Sequence, residues 1–174
     1  MCSSSSTSIK GEIMKKLVFA FILVLLSACV NMNDPKAVGE RIKTEHDDFA
    51  KVTHYTGPEI YGNGSILLRA WKPDNGKMSY QIYAATHYHG QWHYYSTAFD
   101  SNGTKLDATQ ISRHVVMCSN GDCSYDEDVA LNITREYLDA AKEKGLSFKI
   151  MGTGGEEVYA ITPAYIQAFL SATK

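Results

Sequence analysis

The chain has 174 residues, of which 44% are hydrophobic and 21% are charged. This composition fits one globular domain that can bury a sizeable core without a metal. The net charge is −2 and the basic residues are scattered, whereas nucleic-acid binding needs a clustered basic face, so we expect no nucleic-acid partner.

An export signal stands near the start of the chain. Lys15 and Lys16 precede an uninterrupted apolar run, 17–26, and small residues follow it. This is the pattern of a cleaved signal peptide, and the run is shorter than the roughly 20 apolar residues of a spanning helix. We therefore assign residues 1–28 to a signal peptide. Residues 1–13 add nothing that export requires, so Met14 is the expected start of translation.

A cysteine closes the signal, in the run Leu26-Ser27-Ala28-Cys29. These four residues resemble the lipobox of bacterial lipoprotein precursors, in which the cysteine is acylated and becomes the new N-terminus. The resemblance implies that acyl chains on Cys29 anchor the protein in the cell envelope. Val30, and not aspartate, follows the cysteine, which in this family implies the outer membrane, facing the periplasm, of a Gram-negative source. The alternative is ordinary secretory cleavage, with Cys29 incidental.

The mature chain offers no other means of membrane attachment. Cleavage before Cys29 removes three basic residues and one acidic residue, so the net charge becomes −4. A mildly acidic domain is not attracted to anionic lipid. The lipidated linker, 29–34, spans less than roughly 20 Å at about 3.5 Å per residue, so we expect the domain to sit close to the bilayer.

A helix is the first element predicted after the linker. Asp34 is a suitable N-cap, and Pro35 suits the first helical position. Val38, Ile42 and Phe49 then recur at helical spacing. The pattern predicts a helix over 35–51.

The middle of the chain has short segments rich in aromatic and β-branched residues, separated by turn signals such as Asn-Gly. Such spacing predicts an antiparallel meander. The expected strands are 65–71, 78–88, 92–99, 111–118 and 125–133.

Two further helices and a hairpin are predicted after the meander. Thr134 caps a helix that ends at Gly145, and a hairpin pairs 146–151 with 157–161 across Gly152-Thr153-Gly154-Gly155. Thr162 and Pro163 open a last helix, in which Ile166, Phe169 and Leu170 are expected to be buried. The order predicts a single α+β domain over 35–174, with an antiparallel sheet meander and helices packed on it.

The stretch His87-Tyr88-His89-Gly90-Gln91-Trp92-His93-Tyr94-Tyr95 holds three of the six histidines. We expect a hairpin that turns at Gly90-Gln91 or His89-Gly90. His87 and His89 would share a face, while His93 would pair with Tyr88 on the other face. Two histidines satisfy neither a catalytic nor a structural zinc site, so we predict no metal and no cofactor.

Two other interpretations of this stretch remain. It is an aromatic hairpin stabilised by cross-strand pairs, or a binding ridge formed by His87, His89, Trp92 and Tyr94, since aromatic side chains are enriched at recognition surfaces.

Cys118 and Cys123 enclose Ser-Asn-Gly-Asp. The spacing does not match redox Cys-x-x-Cys motifs or most zinc sites. In an exported protein it predicts a disulfide across a tight turn. The acidic residues Asp122, Asp126, Glu127 and Asp128 lack the order of a calcium loop, and we expect a solvated acidic rim.

The sequence therefore predicts a membrane-anchored envelope lipoprotein with a binding or structural accessory role, in which an envelope protein is the expected partner. The alternative is an envelope enzyme, a metal-dependent hydrolase using His87 and His89. No segment matches a hydrolase nucleophile motif.

Overall fold

The computed structural model describes residues 31–174, of which residues 32–174 form one compact unit. The helices are α1 (Pro35–Gly39), α2 (Arg135–Ala141) and α3 (Pro163–Ala172). The strands are β1 (Lys43–Asp47), β2 (Val52–Thr56), β3 (Ile60–Gly62), β4 (Gly64–Pro73), β5 (Ser79–His89), β6 (Tyr95–Asp100), β7 (Lys105–Ser119), β8 (Asp122–Ile133), β9 (Leu146–Gly152) and β10 (Glu156–Ile161). The signal peptide, the lipobox and Cys29 lie outside the described residues.

The strands form one antiparallel sheet in the order β1-β2-β4-β5-β8-β7-β6-β9-β10, with β3 paired to β4. Most neighbours in the sheet are also neighbours in sequence, so the sheet is mainly a meander. The predicted antiparallel sheet with three helices is confirmed, although strands take a larger share than expected.

Alternation along the central strands gives the sheet a buried inner face. Ile66, Leu68 and Ala70 of β4 lie beside Ile82 and Ala84 of β5 on this face, and all five side chains are buried. The same face continues onto β8 through Val129 and Leu131. Burial of this apolar area is the main stabilising term of the fold.

Helix α3 packs on the inner face. Thr162 caps it, as predicted, by accepting a hydrogen bond from the Tyr165 amide. Tyr165 is fully buried, and its hydroxyl donates to the Pro58 carbonyl at 2.7 Å. At the other end of the helix, the Tyr80 hydroxyl donates to the Thr173 carbonyl. The predicted burial of Ile166, Phe169 and Leu170 is confirmed.

The sheet curls around this helix. The Tyr159 hydroxyl of β10 donates to the Asn63 carbonyl at 3.0 Å, and the Asn63 amide donates to Glu157 at 3.2 Å. These bonds join the last strand to the turn between β3 and β4. The helices therefore lie inside the curve, and the opposite face of the central strands points outward.

The predicted helix over 35–51 is wrong beyond its first turns. It ends at Gly39, and two paired strands, β1 and β2, follow. The Asp47 carboxylate accepts hydrogen bonds from the amides of Phe49 and Ala50 and so stabilises the turn between them. Phe49 is fully exposed; the apolar residues at helical spacing thus do not share a buried stripe.

The predicted hairpin, with its turn at Gly90-Gln91 or His89-Gly90, is also wrong. Strand β5 pairs with β4 and β8, whereas β6 pairs with β7 and β9. Residues 90–94 cross from one part of the sheet to the other. Gly90 extends the pairing with β8 by donating to the Cys123 carbonyl, and Tyr94 turns the chain with a φ of 54°. Local turn chemistry was therefore overridden by long-range pairing.

Candidate functional site

The outward surface of β4, β5, β8 and β7 carries polar side chains in register. We call this surface the polar face. Because successive side chains alternate across a strand, residues two apart share it. Its polar and charged members include Arg69, Gln81, Tyr83, His87, His89, Asp107, Thr109, Ser112, His114, Asp126, Asp128 and Asn132.

Four of these side chains form a continuous hydrogen-bonded row, which we call the polar ladder. Arg69 Nε donates to Gln81 Oε1 at 2.9 Å, and Gln81 Nε2 donates to Asn132 Oδ1 at 2.5 Å. Asn132 Nδ2 then donates to Asp107 Oδ2 at 2.7 Å. The row crosses four neighbouring strands, a width of about 14 Å at the usual strand spacing. Each side chain is thereby held in one orientation.

A second group surrounds Asp128. Its Oδ2 accepts hydrogen bonds from the hydroxyls of Tyr83 at 2.8 Å and Ser112 at 2.7 Å. Burial and the neighbouring Asp128 carboxylate raise the pKa of Tyr83 to about 12, so this hydroxyl stays a donor. The Arg69 guanidinium lies over the Tyr83 ring, 4.5 Å from its centroid, and so links this group to the polar ladder.

A third group brings two histidines to one carboxylate. His87 Nδ1 lies 2.6 Å from Asp126 Oδ1, and His114 Nε2 lies 3.2 Å from Asp126 Oδ2. His89 Nδ1 lies 3.3 Å from Asp122 Oδ2. His87 and His89 do share a face, as predicted, with ring centroids 5.8 Å apart.

His87 and His89 nevertheless have different carboxylate partners, Asp126 and Asp122. Within residues 31–174, no three side chains of the metal-ligating types are arranged to hold an ion. Among residues 31–174, Nε2 of His87 and Nε2 of His89 have no hydrogen-bond partner, so each can exchange a hydrogen bond with a ligand.

The proposed binding ridge does not form one surface. His87 and His89 lie on the polar face, whereas Trp92 and Tyr94 belong to the crossing segment, 90–94, and contact Tyr125 and Arg113 of the inner face. Tyr88 stacks on His93 with centroids 3.7 Å apart, and Trp92 lies 4.3 Å from Tyr125. The reason is the alternation along β5, which sends His87 and Tyr88 to opposite faces.

A buried carboxylate organises this aromatic group. Glu127 is fully buried and accepts hydrogen bonds from the Tyr88 hydroxyl and from the amides of Tyr94 and Tyr95. Arg113 Nε lies 3.1 Å from Glu127 Oε1, an ion pair without the alignment of a hydrogen bond. The expected solvated acidic rim is therefore wrong at Glu127.

The electrostatics of Glu127 follow from these contacts. Burial alone would raise the pKa of this carboxyl, but the hydrogen bonds from Tyr88, Tyr95 and Tyr94, together with Arg113, hold it below its ordinary value. The charged carboxylate therefore fixes the crossing segment on the sheet. The Arg113 guanidinium also packs over the Tyr94 ring at 4.7 Å.

The glycines after β9 are explained by the same crossing. A Cβ on Gly152 would meet the His93 carbonyl oxygen, and one on Gly154 would meet the Trp92 carbonyl oxygen. The predicted hairpin turn at residues 152–155 is confirmed. Its glycines serve the close approach of two backbones, which no local pattern reveals.

Cys118 and Cys123 form the predicted disulfide. They lie opposite each other at the end of the β7–β8 hairpin, whose turn residues Asn120 and Gly121 both have positive φ. This bond closes the end of the two strands that carry Asp126 and His114.

No local pattern in the sequence indicates the polar ladder directly. The signal was present only as polar residues at alternating positions in otherwise strand-like segments: Arg69 in β4, Gln81 in β5 and Asn132 in β8. Recognising the row requires the strand order and register.

The described helices are all too short or too polar to cross a membrane. Comparison with known proteins found no family model that matches the chain, and no curated protein or solved structure that is significantly similar to it.

Proposed function

We propose that the protein is a bacterial envelope lipoprotein, anchored by acyl chains on Cys29, that acts by binding a ligand or partner through the polar face. The anchor is supported by the basic, apolar and small-residue segments of the signal and by the lipobox resemblance. The binding role is supported by the structure of the polar face.

The polar ladder is the observation that carries the binding role. A sheet face that only needs solvation does not require Arg69, Gln81, Asn132 and Asp107 to hold one another in fixed orientations. Fixed side chains lose little further conformational freedom when a ligand binds, so preorganisation favours affinity. Asn132 and Asp107 are also exposed, and each keeps hydrogen-bonding capacity beyond the ladder.

Membrane attachment is tested by labelled-fatty-acid incorporation and fractionation of the wild type and Cys29→Ser. We expect label and membrane recovery for the wild type, and an unlabelled precursor or soluble product for the variant. Absence of label in the wild type overturns the anchor.

Binding is tested in cells with a photo-crosslinking amino acid placed at Thr109 on the polar face. The matched control is the same substitution at Val158, which is exposed on β10. We expect a defined adduct from position 109 alone. Equal adducts at both positions, or none at either, contradict binding through the polar face.

A further inference from the structure

A cleft opens at the end of the polar face where β4 ends, β5 begins and β8 leads into α2. Its volume is about 540 Å³, within the range of small-molecule sites. The lining residues that bear on its chemistry are Trp71, Lys77, Ser79, Asp107, Asn132 and Glu136. Two of them, Asp107 and Asn132, are the last members of the polar ladder.

The lining of the cleft combines two kinds of chemistry. Trp71 is two residues from Arg69 along β4 and so lies on the same face. Its aromatic ring is partly exposed. Asn132 and Asp107 supply an amide and a carboxylate that are locked together at 2.7 Å. Asn132 keeps one N–H and one lone pair, and Asp107 keeps a second carboxylate oxygen. The cleft therefore combines an aromatic side chain with fixed hydrogen-bond donors and acceptors.

The charged side chains around the cleft disfavour both anionic and cationic ligands, and so favour an uncharged one. Lys77 and Arg135 are opposed by Asp107 and Glu136, so cations and carboxylates balance. An anion placed against Asn132 would also lie near the Asp107 carboxylate, which repels it. A cation placed against Asp107 would lie near Lys77 and Arg135, which line the same cleft and repel it. Uncharged hydroxyl groups can both donate to Asp107 and accept from Asn132 without either penalty.

We propose that this cleft binds a sugar residue of an uncharged polysaccharide, with one face of the ring against Trp71 and its hydroxyl groups on Asn132 and Asp107. A pyranose ring has an apolar face and a rim of hydroxyl groups, which match the aromatic and the hydrogen-bonding residues of the lining. This assignment rests on the proposed function, because it names the ligand class of the polar face.

Tryptophan fluorescence tests the assignment directly, because Trp71 lines the cleft and Trp92 is the one other tryptophan of the chain. In full-length Trp92→Phe, purified in detergent, Trp71 is the only indole. Maltotriose, cellotriose and the trimer of N-acetylglucosamine are titrated into the millimolar range. We expect a saturable change with at least one of them. Calorimetric titration of the unsubstituted protein measures the same binding independently of Trp92.

Asn132→Ala should weaken this binding about tenfold, which corresponds to one lost hydrogen bond. Asn102→Ala, an exposed asparagine in the β6–β7 turn outside this cleft, is the control and should bind normally. Circular dichroism checks that both variants are folded.

Absence of saturable binding of all three sugars to the unsubstituted protein overturns the sugar assignment, as does equal binding by Asn132→Ala and the wild type. If crosslinks from Thr109 persist while the sugars fail to bind, the binding role stands and the ligand class is wrong. Loss of both results overturns the binding role as well.

Discussion

His87 and His114 lie on β5 and β7, strands that do not pair with each other, yet both reach the Asp126 carboxylate of β8 between them. The contact distances are 2.6 Å and 3.2 Å. A carboxylate only accepts hydrogen bonds, so Asp126 favours the hydrogen on the facing nitrogen of each ring. One residue therefore orients two imidazoles, and the free nitrogen of each faces away from Asp126.

Asp126→Asn should release both histidines together. An amide can donate as well as accept, so it no longer selects one tautomer at His87 Nδ1 and His114 Nε2. We expect the imidazole nitrogen signals of both rings to change in NMR spectra, while those of His54, exposed on β2, stay the same. Unchanged spectra for either ring would show that Asp126 does not orient it.

Glu127→Gln should destabilise the fold by about 3 to 5 kcal/mol, the usual cost of removing one partner of a buried ion pair. The substitution keeps the side-chain shape but leaves Arg113 without its counter-charge and weakens three hydrogen bonds. Chemical denaturation measures the change in the free energy of unfolding. Asp122→Asn, an exposed carboxylate in the same strand, is the control and should change it by less than about 0.5 kcal/mol.

The free energy of unfolding should depend on pH through the Glu127 carboxylate. Burial opposes ionisation of Glu127, but its hydrogen bonds and Arg113 lower its folded-state pKa below the ordinary 4.5. A lowered pKa means that the folded state binds fewer protons than the unfolded state. Its stabilisation is therefore complete above about pH 4.5 and is lost as the pH falls through the folded-state value.

Denaturant midpoints measured from pH 7 to pH 3 check this sign. Asp100, whose pKa is also lowered against the effect of burial by bonds from Thr104, Tyr137 and Asn102, adds a loss that begins below its ordinary 3.8. Glu127→Gln should flatten the curve near pH 4 while the part due to Asp100 remains. A wild-type protein that gains stability on acidification would contradict the argument.

Several helix ends, one hairpin and the disulfide could be predicted because the sequence signals for them are local. The Thr134 and Thr162 caps, the hairpin around residues 152–155 and the disulfide each depend on a few neighbouring residues, and the structure contains all of them. The helix predicted over 35–51 was wrong because Val38 and Phe49 matched a helical period, although only Val38 is buried.

The candidate site could not be predicted in the same way. The polar ladder joins residues 69, 81, 107 and 132, whose proximity depends on strand order. The division of residues 87–95 between the polar face and the inner face depends on Glu127. This residue lies over thirty residues away along the chain and accepts hydrogen bonds from the amides of Tyr94 and Tyr95. Periodicity predicts which side chains share a strand face but not which strand lies alongside. The site is therefore a product of long-range pairing.

Gly154→Ala should test whether the turn after β9 supports the crossing segment. A Cβ at Gly154 would overlap the Trp92 carbonyl oxygen, which is backbone and cannot rotate away. The overlap must move residues 92–94 or the turn itself, and we expect a loss of about 1 to 3 kcal/mol in the free energy of unfolding, as for other overpacked sites.

Gly39→Ala is the matched control, because a Cβ there meets nothing within 4 Å and its φ is not positive; it should be neutral or slightly stabilising. Denaturation curves of the two variants, together with the near-ultraviolet circular dichroism of the aromatic residues, measure the effect. If Gly154→Ala unfolds at the same denaturant concentration as the wild type and keeps its aromatic signal, the crossing segment does not depend on this turn, and the close backbone approach has no energetic role.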